Sequence, residues 1–312
     1  MPNRKYMTEF AYHSFSSIQA LTRQGELDAL LDGTFGEIPP FHIYMITRRP
    51  RVAFKPEAFV FTNERVKGIV TIQYQDSVET REFDITHEWK TADIRVECQY
   101  PYTDAKFYDA SGRMVYQTNA GLSLTLFGPG FSDLLKAEVL YIGQAFGTAG
   151  ERTAPMRLKA HETLQRVYSE TLRTSPDYEV WIVLLNFDER LMMEMDPTQE
   201  STATTEEDDL HREILLRAEP PEDQWINFTE AALITYFMPE YNVMFKGTFP
   251  SPAHESYKNC YEFDLNTVAV EVNTESIRTQ LYSTKVEAAW FHIAQYELHS
   301  PDERKAMFAV FD

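Results

Sequence analysis

The sequence predicts an α+β protein, and three observations carry that prediction. Between residues 41 and 117, runs rich in Val, Ile, Tyr and Phe alternate with Asn, Asp, Gly and Pro turns, the pattern of short strands. Between 121 and 242 the pattern changes to strand, strand, helix, strand, polar insertion, helix. In the last of these, W-I-N-F-T-E-A-A-L-I-T-Y-F-M-P-E-Y-N at 225–242, Ile226, Leu233, Ile234 and Phe237 recur at helical spacing, and Glu230 lies on the same apolar stripe. An ionised carboxylate is seldom buried alone, so Glu230 requires a cationic partner, a metal or a shifted pKa.

Composition bounds the possibilities. With 312 residues, 43% of them hydrophobic and 13% aromatic, the chain can bury a large core and is long enough for two domains. No apolar run reaches the ~18 residues of a membrane span, and the first ten residues lack the apolar core of a signal peptide, which points to the cytoplasm and to no membrane partner. Cys98 and Cys260 are too few and too far apart for a disulfide framework. The net charge of −19 argues against non-specific grip on nucleic acid. Much of it is local: 186–223 holds 13 acidic residues against Arg190, Arg212 and Arg217, which reads as a solvated acidic insertion over 188–223.

Taken in order, 14–31 carries Ile18, Leu21, Leu27, Leu30 and Leu31 without proline and predicts a helix closed at Asp32-Gly33. Strands are expected at 42–46, 58–62, 68–75, 80–86, 92–100 and 113–117, making 1–120 a β-rich accessory domain. Arg48, Arg49, Arg51 and Lys55 form its dense basic cluster, either a solvated face or a phosphate contact patch. Strands at 122–127 and 137–143 follow, then a glycine-rich loop at 144–151 and a helix from Pro155 to Leu172. On that helix Arg157, His161, Leu164, Tyr168 and Leu172 share one face. The nearly continuous apolar run 178–187 suits a strand covered on both faces. Proline at 239 stops the helix that bears Glu230, and strands at 261–273, 288–298 and 306–311 make 251–312 a β-rich extension.

Y-I-G at 141–143, Arg157 and His161 four apart, Glu230 on a later helix and P-E-Y-N ending at Asn242 together resemble the GIY-YIG nuclease superfamily. The spacings are most similar to its restriction-endonuclease branch, and the resemblance covers about 122–242. It implies a small antiparallel sheet flanked by helices over 121–250, and metal-dependent cleavage of DNA. Under it Glu230 would hold Mg²⁺ or Mn²⁺, which needs few protein ligands. Arg157 would stabilise charge on the phosphate, and Tyr141 and His161 would activate or orient water. Gly143, Asn242, Arg48 and Arg49 are the candidate substrate-binding positions. The family's first motif is a G-I-Y strand whose tyrosine activates or positions the nucleophile. No G-x-Y occurs in the region before Tyr141, and the stand-ins are Tyr116, 25 residues earlier, or the strand around Phe127 and Gly128, which has no hydroxyl.

The residues exclude other chemistries: there is no H-E-x-x-H, G-x-S-x-G or Walker-type G-K-S/T. The leading expectation is a DNA endonuclease. The alternative, motivated by the missing G-I-Y and the acidic balance, is a catalytically silent module of the same kind that binds nucleic acid or protein. Specificity would come from a protein partner, a substrate structure or a homodimer.

Overall fold

The computed structural model describes residues 4–31, 41–145, 154–158, 161–195, 200–217, 222–255 and 258–308. In chain order its elements are β1 (Thr8–Thr22), α1 (Leu27–Leu31), β2 (Ile43–Pro50), β3 (Val52–Phe54), β4 (Val60–Phe61), β5 (Arg65–Tyr74), β6 (Ser77–Thr86), β7 (Arg95–Glu97), β8 (Asp104–Tyr108), β9 (Met114–Asn119), α2 (Ala120–Ser123), β10 (Lys136–Gln144) and α3 (Ala154–Leu158). They continue with α4 (Glu162–Thr174), β11 (Tyr178–Met195), α5 (Thr205–Arg217), α6 (Glu222–Phe237), α7 (Asn259–Glu262), β12 (Thr267–Asn273), β13 (Gln280–Tyr282) and β14 (Phe291–Glu297). The content is mixed, with several sheets and with helices, as an α+β chain requires. Among the described residues no helix is long and apolar enough to cross a membrane.

Two compact units form, neither a continuous stretch of sequence. The first comprises Met1–Thr47, Val139–Leu164 and Trp181–Asp312, the second Arg48–Glu138 and Gln165–Val180. The largest sheet has seven strands in the order β13-β10-β2-β11-β1-β12-β14. β1 is antiparallel to β11, from Thr8 opposite Met195 to Thr22 opposite Ile182, and parallel to β12. Residues 181–185, W-I-V-L-L, have no solvent exposure, as the continuous apolar run requires of a strand covered on both faces. α6 packs on β12 and β14. It is buried beyond its apolar stripe, since Phe228, Ala231 and Ala232 are also inside. Met238, at φ 51, leaves the helical conformation before Pro239.

In the second unit β5 is the hub, pairing with β3, β4 and β6, and a separate sheet runs β7-β8-β9. Every ladder here is antiparallel. Phe54, Phe83, Phe107 and Phe131 are buried rings within it.

Several expectations are corrected. The helix expected over 14–31 is instead the long strand β1 followed by the short α1. Hydrogen bonding along both edges of β1 outweighs a helical spacing that only Ile18 and Leu21 carried within it. Residues 122–127 are no strand, because the Asn119 Oδ1 accepts the Gly121 N–H at 2.8 Å and starts α2. β8 had no counterpart among the expected strands.

The acidic insertion is built structure as far as it is described. β11 continues through it to Met195, and α5 starts with a capping box in which Thr204 Oγ1 accepts the Glu207 N–H and the Glu207 carboxylate accepts the Thr204 N–H at 2.7 Å. Glu206, Glu207 and Asp208 then sit in the first turn, where the helix dipole favours negative charge. Asp208 is buried and accepts from the backbone and hydroxyl of Thr8.

The helix expected over 155–172 is described as α3 and α4, with 159–160 between them outside the described residues. The expected strand at 261–273 starts with α7 and becomes extended only at Thr267. Of 306–311, residues 306–308 are not strand and the rest lie outside the described residues, as does most of the 144–151 loop.

Candidate functional site

Two neighbouring strands, β2 and β10, place the first hydroxyls. Tyr44 on β2 has no solvent exposure, and Tyr141 on β10 is half-buried beside it, with ring centroids 6.2 Å apart. Gly143 makes this possible. A Cβ there would lie 2.5 Å from Cζ and Oη of Tyr44, so any side chain would push the phenol out of place. β10 is held in turn by the chain after α6. Asn242 is buried, its Nδ2 donates to the Ile142 carbonyl at 2.8 Å, and its Oδ1 accepts the Ile142 N–H at 2.9 Å. The Tyr241 N–H donates to the Leu140 carbonyl at 3.0 Å, so 241–242 lies along β10 much as a strand would.

His161 stands immediately before α4. Its Nδ1 accepts the Leu164 N–H at 3.3 Å, the geometry of a helix N-cap, and its Nε2 lies 2.9 Å from Tyr44 Oη. Burial, and then the charge of Arg157, push His161 below its usual pKa, so the ring is neutral at pH 7. With Nδ1 occupied as acceptor, the single ring proton belongs on Nε2 and is donated to Tyr44. Tyr44 then has its own proton to give, and it hydrogen-bonds Tyr141. The polarity His161 to Tyr44 to Tyr141 follows from one backbone amide. Burial raises both phenols, Tyr44 most strongly, while Arg157 and the hydrogen bond from Tyr44 pull Tyr141 the other way.

Glu230 on α6 completes the group. Burial pushes its pKa up to about 7, opposed by the Arg157 charge and by the backbone N–H of Gln144 at the end of β10. Its side chain retains some solvent exposure, and Arg157 on α3 is exposed. The Gln144 amide donates to Asn227 Oδ1 at 2.6 Å, tying β10 to α6 one helical turn from Glu230. Among the described residues no group of three or more His, Cys, Asp or Glu stands together, so a cation here would have Glu230 as its protein ligand.

The structure therefore brings together Tyr141, Gly143, Arg157, His161 and Glu230. It corrects four other positions. Tyr116 is on β9 in the second unit, 40% exposed, beside Trp89 and Phe107, and does not enter this group. Tyr44 takes the place expected of it. Asn242 spends both ends of its amide on Ile142, which makes it a positioning residue. Arg48 and Arg49 lie on β2: Arg48 is ion-paired with Glu138 at 2.8 Å and Arg49 is 2% exposed, so they are not a free phosphate patch. The signal for Tyr44 was present as H-I-Y at 42–44, but it lies 97 residues before Tyr141 (141 against 44), across the whole of β3 to β9.

Comparison of the chain with family models, with curated proteins and with solved structures found no match.

Proposed function

We propose that the chain is a metal-dependent endonuclease of the GIY-YIG type that hydrolyses DNA phosphodiester bonds. The observation that supports this most is that the tyrosine, arginine, histidine and glutamate singled out by the motif order surround one spot, and that Tyr44 on the adjacent strand supplies the second phenol the motif demands. H-I-Y at 42–44 then stands for G-I-Y, with the glycine replaced by His42.

Glu230 suits Mg²⁺ or Mn²⁺, because such a cation keeps most of its waters and asks the protein for one or two carboxylates. Its one backbone donor and partial exposure leave oxygen lone pairs for a ligand. When bound, the metal would polarise the phosphoryl oxygen and the leaving group. Arg157 faces the same spot from α3 and would stabilise negative charge on the phosphate. Tyr141, the more accessible phenol, would orient the attacking water; it would release its own proton to solvent first, and the resulting phenolate would take up the proton of the water as that water attacks. The hydrogen bond from Tyr44 favours charge developing on the Tyr141 oxygen, and His161 fixes Tyr44 by donating Nε2–H to it.

One observation favours a second reading, a module that binds without cutting. The second unit carries 14 Lys/Arg against 16 Asp/Glu, which leaves 15 against 32 in the unit that contains Glu230. So acidic a unit repels generic duplex. The test is nicking of supercoiled plasmid and of branched DNA with Mg²⁺ or Mn²⁺, comparing the wild type with Glu230→Ala. We expect metal-dependent cleavage that falls about 10³-fold in the variant at unchanged circular dichroism. Equal cleavage by both proteins, or none by either, would overturn the nuclease reading.

A further inference from the structure

The second unit contains a cavity of about 290 Å³ that the proposed chemistry does not use. Seven aromatic side chains line it, Phe54, Phe59, Phe83, Trp89, Phe107, Tyr116 and Phe127, all within β3 to β9 and the turn that follows α2. Phe54, Phe83 and Phe107 are core residues, 3–4% exposed, and form the floor. The walls differ. Trp89, Phe59 and Phe127 are half-buried and Tyr116 is 40% exposed, so large rings stand at an opening where a packed core would have covered them.

The indole is held in place by its neighbour on the cavity wall. His87 stacks on it with centroids 4.5 Å apart, and both imidazole nitrogens are taken, Nδ1 by the Trp89 N–H at 3.2 Å and Nε2 by the Thr62 carbonyl at 3.0 Å. A rigid, open aromatic cavity of this size has room for one flat heterocycle and offers ring faces to stack on it.

The polar atoms at the cavity read the edge of that heterocycle. Ser123 Oγ donates to the Asn119 carbonyl at 3.0 Å, and the Thr118 hydroxyl donates either to Ser123 Oγ, 2.9 Å away, or to the same carbonyl at 3.4 Å. Thr118 Oγ1 is left with acceptor capacity, and the Glu88 carboxylate is also acceptor-only. Acceptors select a ring bearing an amino group. The unit is also the less acidic of the two, −2 of the total −19, and so the better tolerated by a phosphate backbone.

We propose that this cavity receives a single amino-bearing nucleobase, adenine or cytosine, swung out of a DNA strand. The proposal rests on the DNA reading given above and deepens it, since it gives the chain a means of choosing a substrate that does not depend on Glu230. Removing a base from the stack costs energy that stacking inside the cavity and hydrogen bonds to the amino group would offset.

The test uses the full chain and 30-base-pair duplexes carrying one 5-iodocytosine or, as comparison, one 5-iodouracil, which has a carbonyl in place of the amino group. After irradiation the cross-linked peptides are identified by mass spectrometry. We expect cross-links to Trp89, Phe107 or Tyr116, about tenfold more from iodocytosine than from iodouracil. Because Trp89→Ala could unfold the unit, Leu126→Trp is the decisive variant. Leu126 lines the cavity and is 52% exposed, so a larger ring there fills the space without entering the floor, and the cross-link should fall about tenfold with Tm unchanged. Cross-links mapping elsewhere, equal yields from the two bases, or no effect of Leu126→Trp would overturn the proposal. Plasmid cleavage with no cross-link defeats the cavity reading alone, and a base-selective cross-link without cleavage defeats the nuclease reading alone.

Discussion

The two compact units place their distinctive side chains in opposite surroundings. In the first, polar side chains are set by their main-chain surroundings: a helix N-cap fixes His161, a glycine makes room for Tyr44, and an asparagine grips the strand of Tyr141. In the second, rings are oriented by other rings, with His87 backing Trp89 and few polar atoms at the opening. Hydrogen bonds to the main chain set direction to within tenths of an ångström, which proton movement needs, whereas ring stacking tolerates many partners, which recognition of a flat ligand needs. The unit that would handle phosphate is also the more acidic one, so the exposed Arg157 and a bound cation would have to offset the field locally.

That contrast can be broken most directly by exchanging hydroxyls. Tyr44→Phe should reduce cleavage about 10²-fold with little change in Tm, because only the Oη joining His161 to Tyr141 is lost. Tyr116→Phe should change the rate less than about twofold in the same plasmid assay, since its ring remains and its hydroxyl belongs to the other unit. Reversed ranks would return Tyr116 to the site.

Gly143→Ala comes next. The added Cβ has no space beside Tyr44, and we expect a loss of about 3 kcal/mol in urea unfolding, together with activity. Asn242→Ala strips Ile142 of both its side-chain partners and should cost about 2 kcal/mol without changing the pH profile. A shifted profile would mean that Asn242 contacts the reacting groups.

The smallest effect has an unusual sign. Glu230 has its pKa raised to about 7, so its contribution to stability is present below the ordinary carboxylate range and is lost as pH rises through 7. In EDTA, Glu230→Gln should therefore unfold like the wild type at pH 4 and be about 1 kcal/mol more stable at pH 8.5. Added Mg²⁺ should raise the stability of the wild type alone at the higher pH. A variant less stable at pH 8.5 would mean that the ionised carboxylate is structurally paired.

Much of the site was legible in the sequence because its parts sit where local rules apply. Glu230 was conspicuous as a carboxylate on an apolar stripe, and Arg157 and His161 by their spacing of four. Tyr44 was not, because adjacency of β2 and β10 is a long-range property and seven strands of the second unit intervene in the chain. β1 was misread for a similar reason: its character is set by β11 and β12, more than 160 and 240 residues away in sequence, and not by its own apolar spacing. In the acidic segment net charge suggested a loop, yet T-T-E-E at 204–207 was a helix start in plain view.

The pairing of β1 with β12 bears on synthesis. The second strand partner of an element near residue 11 is residue 267 and its successors, so during translation that edge stays open until residues 267–271 have left the ribosome. A product ending after α6 would keep every side chain of the site and both its motif strands, yet expose an edge built from buried residues. Such a truncated chain should be recovered in aggregates.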